Sequence, residues 1–309
     1  MRKYLLSVVR VMQKNKFVFE CAPGTNATST QWGEIRSYLV QHGVDRLVAG
    51  DYRQFDKRMC SDLILAAFDI LRWMCERAGY RPEDLLAIDC IAADTAYPLV
   101  DFHGDLVMFF GSNPSGHPLT VIINGLANSL YVRYTYRVLN PAREVASFRS
   151  NVALMTYGDD NVFGVSERAP WFHHTSVQKA LADISVGYTM ADKEAESVPY
   201  IHIDEVTFLK RSWRWDSELR AWAAPLDEES IGKMLTRVVK SDTLCPEAQA
   251  VAVMESAHSE YFFYGRKVFE EKSKMFQRIV EKCGLENYVT DHSFPSWNEL
   301  FDRFWRSSQ

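Results

Sequence analysis

A chain of 309 residues, 47% hydrophobic and 24% charged, has the composition of a globular protein with room for two or three packed subregions, which excludes a disordered or low-complexity polypeptide. Its 35 Lys and Arg against 40 Asp and Glu leave a net charge of -5, so a polyanion would have to be met by local basic patches rather than by the overall field. No apolar run is long enough to span a membrane, no secretory cleavage pattern opens the chain, and six scattered cysteines without C-x-x-C spacing point to reduced thiols in a cytosolic setting, not to a disulfide framework or a zinc site.

Residues 1–19 read as a helix or strand that begins abruptly. Residues 21–31, rich in Pro, Gly, Thr, Asn and Ser, form a loop, and Trp32 to Gln41 a helix. A short strand from Arg46 to Tyr52 carries Asp51 at its end, and Asp56 follows where a helix begins. Asp56 has an ordinary reading as an N-cap, worth about 1 kcal/mol. Asp51 has none, and a carboxylate leaving an apolar strand needs a partner. Apolar residues then recur at helical spacing from Lys57 to Ala78 (Leu63, Ala66, Ala67, Ile70, Leu71, Met74), and Gly79 stops the run. Residues 95–110 alternate around His103-Gly104-Asp105, the pattern of a hairpin.

A long helix is expected from near Ser115 to Leu139, closed by Asn140-Pro141. Ser115, Gly116 and Pro118 suit a strained loop entering it. Thr120, Asn124 and Asn128 recur every four residues and draw one polar stripe along an otherwise apolar helix. A buried Asn without hydrogen bonds costs about 1–3 kcal/mol, so the stripe faces either a satisfied core network or a ligand.

Two apolar runs then flank Tyr157-Gly158-Asp159-Asp160-Asn161. Successive strand residues face opposite sides, so adjacent aspartates converge only where the chain reverses, and Gly158 permits such a reversal. Crowded carboxylates repel unless a cation lies beside them, although Gly, Asp and Asn are also ordinary turn residues. A helix from His174 to Val186, a short strand, a hairpin over Glu205 to Trp222 and a mostly helical stretch from Asp227 to Trp305 complete the chain. Within that hairpin, Val206 to Arg211 reads as a strand ending in two cations, and the run Arg266, Lys267, Lys272, Lys274, Arg278, Lys282 as a solvated helix face. The histidines lack metal-ligand spacing, and no phosphate-binding Gly-rich loop occurs.

In this order the segments resemble the palm of viral RNA-dependent RNA polymerases, most closely the picornavirus-like group. Asp51 and Asp56 match the first motif; Ser115, Gly116, Thr120 and Asn124 the second; Gly158, Asp159 and Asp160 the third. Lys193 matches the fourth, and Phe208-Leu209-Lys210-Arg211 the fifth. The resemblance covers about residues 20–222 and implies an α+β fold: a right-hand palm, with a small antiparallel sheet packed on helices, and a helical thumb. It divides the chain into a fingers remnant (1–20), palm (21–93), a fingers-like insertion (94–114), palm again (115–222) and thumb (223–309). Most of the fingers of the family have no counterpart, so the chain looks like a truncated polymerase.

The resemblance implies template-directed RNA synthesis with two Mg²⁺ ions, for which Mn²⁺ can substitute, held by Asp51, Asp159 and Asp160. Asp56 and Asn124 would read the ribose 2′-hydroxyl, with Ser115, Gly116 and Thr120 holding that network. Lys193 would protonate the leaving pyrophosphate, and Lys210 and Arg211 would grip the primer backbone. The implied partners are an RNA template and primer, nucleoside triphosphates and a genome-linked protein primer, in host-cytoplasmic, membrane-associated replication complexes. A reverse transcriptase shares the paired aspartates but usually carries a bulky aromatic where Asp56 stands. A palm–thumb fragment that binds RNA or metal without turnover is the non-enzymatic alternative. A carboxylate hydrolase would leave the Asn124 stripe and the Lys210-Arg211 pair unexplained.

Overall fold

Leu5, Val8, Val9 and Met12 form one buried stripe along the first helix, α1 (Arg2–Lys14), because residues three, four and seven apart share a helical face. The structure, a computed structural model, describes residues 1–113, 116–192 and 195–308. After the short α2 (Lys16–Phe19) and α3 (Gln31–Leu39) comes strand β1 (Leu47–Tyr52), then α4 (Phe55–Arg58), α5 (Ser61–Arg77) and α6 (Pro82–Ala96). The ribbon β2 (Leu99–Phe102) and β3 (Asp105–Met108) precedes α7 (Thr120–Leu139) and α8 (Phe148–Asn151). Hairpin β4 (Val152–Tyr157) and β5 (Asp160–Val165), helix α9 (His174–Ala182) and strand β6 (Tyr188–Met190) follow. A second ribbon, β7 (Arg214–Asp216) and β8 (Ala221–Ala223), leads to α10 (Glu228–Thr236), α11 (Pro246–Tyr261), α12 (Arg266–Cys283) and α13 (Trp297–Arg306). No helix among the described residues is long and apolar enough to cross a membrane, and the six cysteines are free.

The chain divides into two compact units. The first comprises residues 1–25 and 38–209. Its centre is an antiparallel sheet in the order β4-β5-β1-β6. Val48, Tyr52, Leu154, Phe163 and Tyr188 join one core with the apolar faces of α5, α7 and α9. Helix α7 packs tightly on the sheet at Gly125, where an added Cβ would lie 3.2 Å from Thr156 Oγ1. Beside the sheet, the nearly buried Glu20 carboxylate takes both arms of Arg133, at 2.6 and 2.8 Å, and the Ser129 hydroxyl at 3.0 Å.

The second unit comprises residues 26–37 and 210–309. Trp32 and Trp213 stack at 5.0 Å between ring centroids. Each indole N–H donates to a backbone carbonyl, Trp32 to Ser212 and Trp213 to Trp32, both at 2.9 Å. Helices α11 to α13 enclose a core of Phe262, Phe269, Phe276, Trp297 and Phe304. His258 sits in that core, 1% exposed, with its Nε2 against Ser273 Oγ at 2.8 Å and no partner for Nδ1 among the described residues. Burial pushes its pKa down from 6.5 to about 4, so the folded state holds it neutral while the unfolded chain titrates near 6.5. Stability is therefore expected to fall as pH drops from 6.5 towards 4, by up to about 3 kcal/mol from this one group. Urea midpoints at pH 7 and 4.5 test this: His258→Phe should show a smaller drop than the parent, and an equal drop would refute it.

Five local expectations give way to the structure. The helix expected over Lys57 to Ala78 is broken, because Met59 and Cys60 are extended and the Met59 carbonyl accepts from Ser112 N–H at 2.8 Å. Thr95 belongs to the last turn of α6, a helix with no strong apolar stripe, so the ribbon begins only at Leu99. Helix α7 starts at Thr120 rather than near Ser115, since Gly116 has φ +91° and Pro118 follows. Val206 to Arg211 is not a continuous strand: Leu209 and Lys210 have φ of +54° and +62°, left-handed values that end a pleat, and Arg211 makes an isolated bridge to Leu226. Val206 and Phe208 are buried while Thr207 is exposed, so the alternation reflects burial without a ladder. The hairpin expected over Glu205 to Trp222 reduces to β7 and β8.

Candidate active site

Pairing of Tyr157 with Asp160 leaves Gly158 and Asp159 as a two-residue turn between β4 and β5. Gly158 has φ +61° and Asp159 is not among the residues with positive φ, which is the pattern of a type II′ hairpin turn with Gly first. On the other side of β5, β1 runs antiparallel with Gly50 opposite Asn161. One step further along the same register, Asp51 faces Asp160. Cross-strand neighbours have Cβ atoms about 4.5–5.5 Å apart, so that step puts the acid ending β1 on the same sheet face as Asp160, one residue from Asp159. Asp51 and Asp160 are half-buried and Asp159 is exposed.

Alternation sends the neighbours of these acids to the opposite, helix-packed face. Tyr52 and Asn161 are 3% and 2% exposed. Tyr188 crosses beneath Gly50, and its hydroxyl donates to Asn161 Oδ1 at 2.6 Å. Burial holds the phenols of Tyr52 and Tyr188 far above the ordinary tyrosine pKa, so both remain neutral donors.

A second constellation gathers around Asn113, which is 1% exposed. Its backbone N–H donates to the Asp56 carbonyl at 3.0 Å. Its Nδ2 donates to Asn124 Oδ1 at 2.6 Å and, more weakly, to the Thr120 carbonyl at 3.4 Å. Its Oδ1 lies 2.8 Å from His117 Nε2. His117 Nδ1 accepts from Leu119 N–H at 3.2 Å, which places the ring proton on Nε2 and makes that nitrogen the donor to Asn113. Burial lowers the His117 pKa and favours this neutral tautomer. Thr120 Oγ1 donates to the His117 carbonyl at 3.0 Å. Asp56, in the first turn of α4, is thereby tied through one residue to Asn124 on α7.

Of the remaining sequence candidates, Gly116 is exposed with φ +91° and open space where a Cβ would stand. Ser115 and Lys193 lie outside the described residues. Lys210 is exposed. Arg211 is committed: its two terminal nitrogens meet both Glu260 oxygens at 2.8 Å, and one also reaches the Ala224 carbonyl at 2.8 Å. Sequence reasoning passed over Tyr52, Asn113, His117 and Tyr188. Asn113 and His117 flank the Ser115-Gly116 motif and carried a proximity signal; the two tyrosines carried none.

Among the described residues no three His, Cys, Asp or Glu side chains converge closely enough to hold an ion by themselves. That does not disqualify Mg²⁺, which is commonly bound by one or two carboxylates with waters and substrate phosphates completing the octahedron. The donors at the strand ends are all oxygens, suited to a hard cation and unsuited to zinc or copper.

A small antiparallel sheet that presents carboxylates from a hairpin turn and from the adjoining strand end, with helices behind it and a helical unit after it, defines a palm-and-thumb polymerase fold. The solved RNA-dependent RNA polymerase 3Dpol of a sicinivirus shares it, with a TM-score of 0.77 over 98% of this chain and 59% of that one, at 17% identity. A family model described as viral RNA-dependent RNA polymerase matches residues 5–282. The replicase polyproteins of cricket paralysis virus and Drosophila C virus are 28% and 29% identical over 91% and 87% of this chain. The RNA1 polyprotein of cowpea mosaic virus is 25% identical over 97% of it. The chain belongs to the viral RNA-dependent RNA polymerase family, in its picorna-like superfamily. It spans 16% of the length of each of these three polyproteins.

Proposed function

We propose that the chain is the palm-and-thumb part of a polymerase that copies an RNA template into RNA, extending a primer with nucleoside triphosphates. The observation that supports this reading is the register of β1 on β5, paired as far as Gly50 and Asn161, with Asp51 next on one strand, Asp160 next on the other and Asp159 at the adjoining turn. Asp51 and Asp159 would hold two Mg²⁺ ions, or Mn²⁺ in their place, with Asp160 supporting that placement. When bound, the metal ions lower the pKa of the primer 3′-hydroxyl and neutralise the triphosphate and leaving pyrophosphate. The chain's own residues supply position and charge for an in-line displacement.

Asp56 and Asn124, tied through Asn113, read the ribose 2′-hydroxyl, a group that both donates and accepts. By the family resemblance, Ser115 and Thr120 keep this network in register, and Gly116 belongs to the same nucleotide-binding motif. Lys193 is the proton donor to pyrophosphate. Lys210 offers its charge to the primer backbone, and Arg211, locked to Glu260, keeps that turn in place. A genome-linked protein primer, and host-cytoplasmic, membrane-associated replication complexes as the setting, are carried over from the family resemblance.

The same resemblance assigns residues 1–20 to a fingers remnant, 21–93 and 115–222 to the palm, 94–114 to a fingers-like insertion and 223–309 to the thumb. The exposed apolar side chains of the β2–β3 ribbon, Leu99, Phe102, Leu106 and Met108, suit a segment that packs against fingers. Primer extension by the 309-residue chain, run beside a form with the fingers restored, is expected to give little product from the former and robust ribonucleotide incorporation from the latter. Absence of RNA synthesis from both would overturn the proposal.

Sugar selection is tested separately. A site built to bond a hydroxyl is left with unpaired polar atoms when a deoxynucleotide enters, so discrimination is large. Asp56→Ala or Asn124→Ala should narrow the ratio of ribo- to deoxynucleotide kcat/KM by roughly 10-fold or more, since a lost buried hydrogen bond is worth about 1–3 kcal/mol. An unchanged ratio would remove these residues from sugar selection. A strong preference for deoxynucleotides in the parent would favour the reverse-transcriptase reading.

A further inference from the structure

The polar stripe on α7 has a third member, Asn128, and its side chain is fully buried. Its Nδ2 donates to three successive backbone carbonyls: Gly158 at 3.1 Å, Asp159 at 3.0 Å and Asp160 at 3.2 Å. Two N–H groups thus serve three acceptors that span the whole turn between β4 and β5. Only the amino side of an amide can face three carbonyls, so Oδ1 turns the other way. There it accepts from the Tyr52 hydroxyl at 3.1 Å. Tyr52 follows Asp51 directly on β1, and its ring is fixed by Phe55 at 4.7 Å, Tyr188 at 5.0 Å and Tyr131 at 5.8 Å. One side chain therefore joins the strand that carries Asp51 to the turn that carries Asp159 and Asp160.

We propose that Asn128 is a positioning residue that sets the heading of the Asp159–Asp160 turn relative to Asp51, and through it the affinity of the acid cluster for a divalent cation. The inference rests on the reading of Asp51 and Asp159 as metal ligands. A two-residue turn with a glycine at its first position has little stiffness of its own. With its three carbonyls drawn towards α7, the turn cannot rotate about its long axis, and the carboxylates keep a fixed direction. Without that clamp the acids remain present but are averaged over several headings, which weakens ion binding while the sheet stays paired.

Asn128→Asp is the sharpest variant, because it keeps the shape and replaces the donor with an acceptor facing three carbonyl oxygens. Asn128→Ala removes the donor without introducing repulsion. Mn²⁺ binding to the 309-residue chain, followed by loss of the free-ion EPR signal, reads the effect without any need for turnover. Supporting partners of metal ligands typically contribute 10–100-fold to affinity, so Asn128→Asp should weaken Mn²⁺ binding by about that factor and Asn128→Ala by less, with far-UV circular dichroism like that of the parent. Where Asn128→Asp does not fold, Asn128→Ala decides alone.

A purely structural asparagine would lower the unfolding midpoint and leave Mn²⁺ affinity per folded molecule unchanged, and that result overturns the inference. Asp159→Asn is measured in parallel. If it loses Mn²⁺ and the Asn128 variants do not, only the clamp is refuted. If Asp159→Asn also binds normally, the metal assignment is wrong and the clamp falls with it.

Discussion

In a form with the fingers restored, Asp159→Asn is expected to reduce Mg²⁺-dependent nucleotide incorporation by on the order of 10³-fold or more while leaving the unfolding free energy within about 0.5 kcal/mol of the parent. Asp159 is exposed at the second position of a two-residue turn, and the strands on either side pair without its side chain. Asn suits a turn as well as Asp does, so the fold has no reason to change. The chemistry does. Hard divalent cations bind anionic oxygen, and a metal's stabilisation of transition-state charge is worth several kcal/mol, with each 1.36 kcal/mol amounting to a factor of ten. Loss of activity together with loss of stability would make Asp159 a structural residue. Activity that persists in the form with the fingers restored would refute its metal role. Asp160→Asn should cost less, because Asp160 supports the site from a paired strand position.

Much of this site was legible because its chemistry restricts residue type. Asp51, Asp159 and Asp160 announce themselves as carboxylates at strand ends beside a glycine, and the polar stripe on α7 is visible at four-residue spacing. What escaped were pairings between residues far apart in the chain whose types are unremarkable. Tyr188 reaches Asn161 across β1, over the one position there, Gly50, that has no side chain. Neither tyrosine nor glycine advertises that partner. Asn113 was adjacent to a motif, but its hold on both Asp56 and Asn124 depends on a chain reversal that no local pattern specifies. The stretch from Val206 to Arg211 misled for a different reason: side chains alternate in burial there, yet the backbone turns left-handed at Leu209 and Lys210. Helix α6 was overlooked because Pro82, at its first turn, starts a helix with only a weak apolar stripe.

Gly50→Ala should have a large effect on stability. The new Cβ would stand 2.0 Å from both Cζ and the hydroxyl oxygen of Tyr188 and 2.5 Å from Cε2. The ring cannot yield at low cost, since its hydroxyl is bound to Asn161 at 2.6 Å and its faces meet His174 at 5.1 Å and Tyr52 at 5.0 Å. Overpacking costs about 1–3 kcal/mol, and an expelled phenol that leaves Asn161 unpaired adds roughly 1–3 kcal/mol. The expected loss is therefore about 2–6 kcal/mol, read as a lower urea midpoint. Because Asp51 is the next residue, β1 would have to shift at the acid itself, and incorporation should fall further than the folded fraction accounts for. A double-mutant cycle isolates the cause. Tyr188→Ala removes the obstruction, so Gly50→Ala should cost much less in that background than alone, with an interaction energy of opposite sign to the single penalties. Equal costs in both backgrounds would mean that the glycine is required by β1 itself and that the aromatic crossing beneath it is incidental.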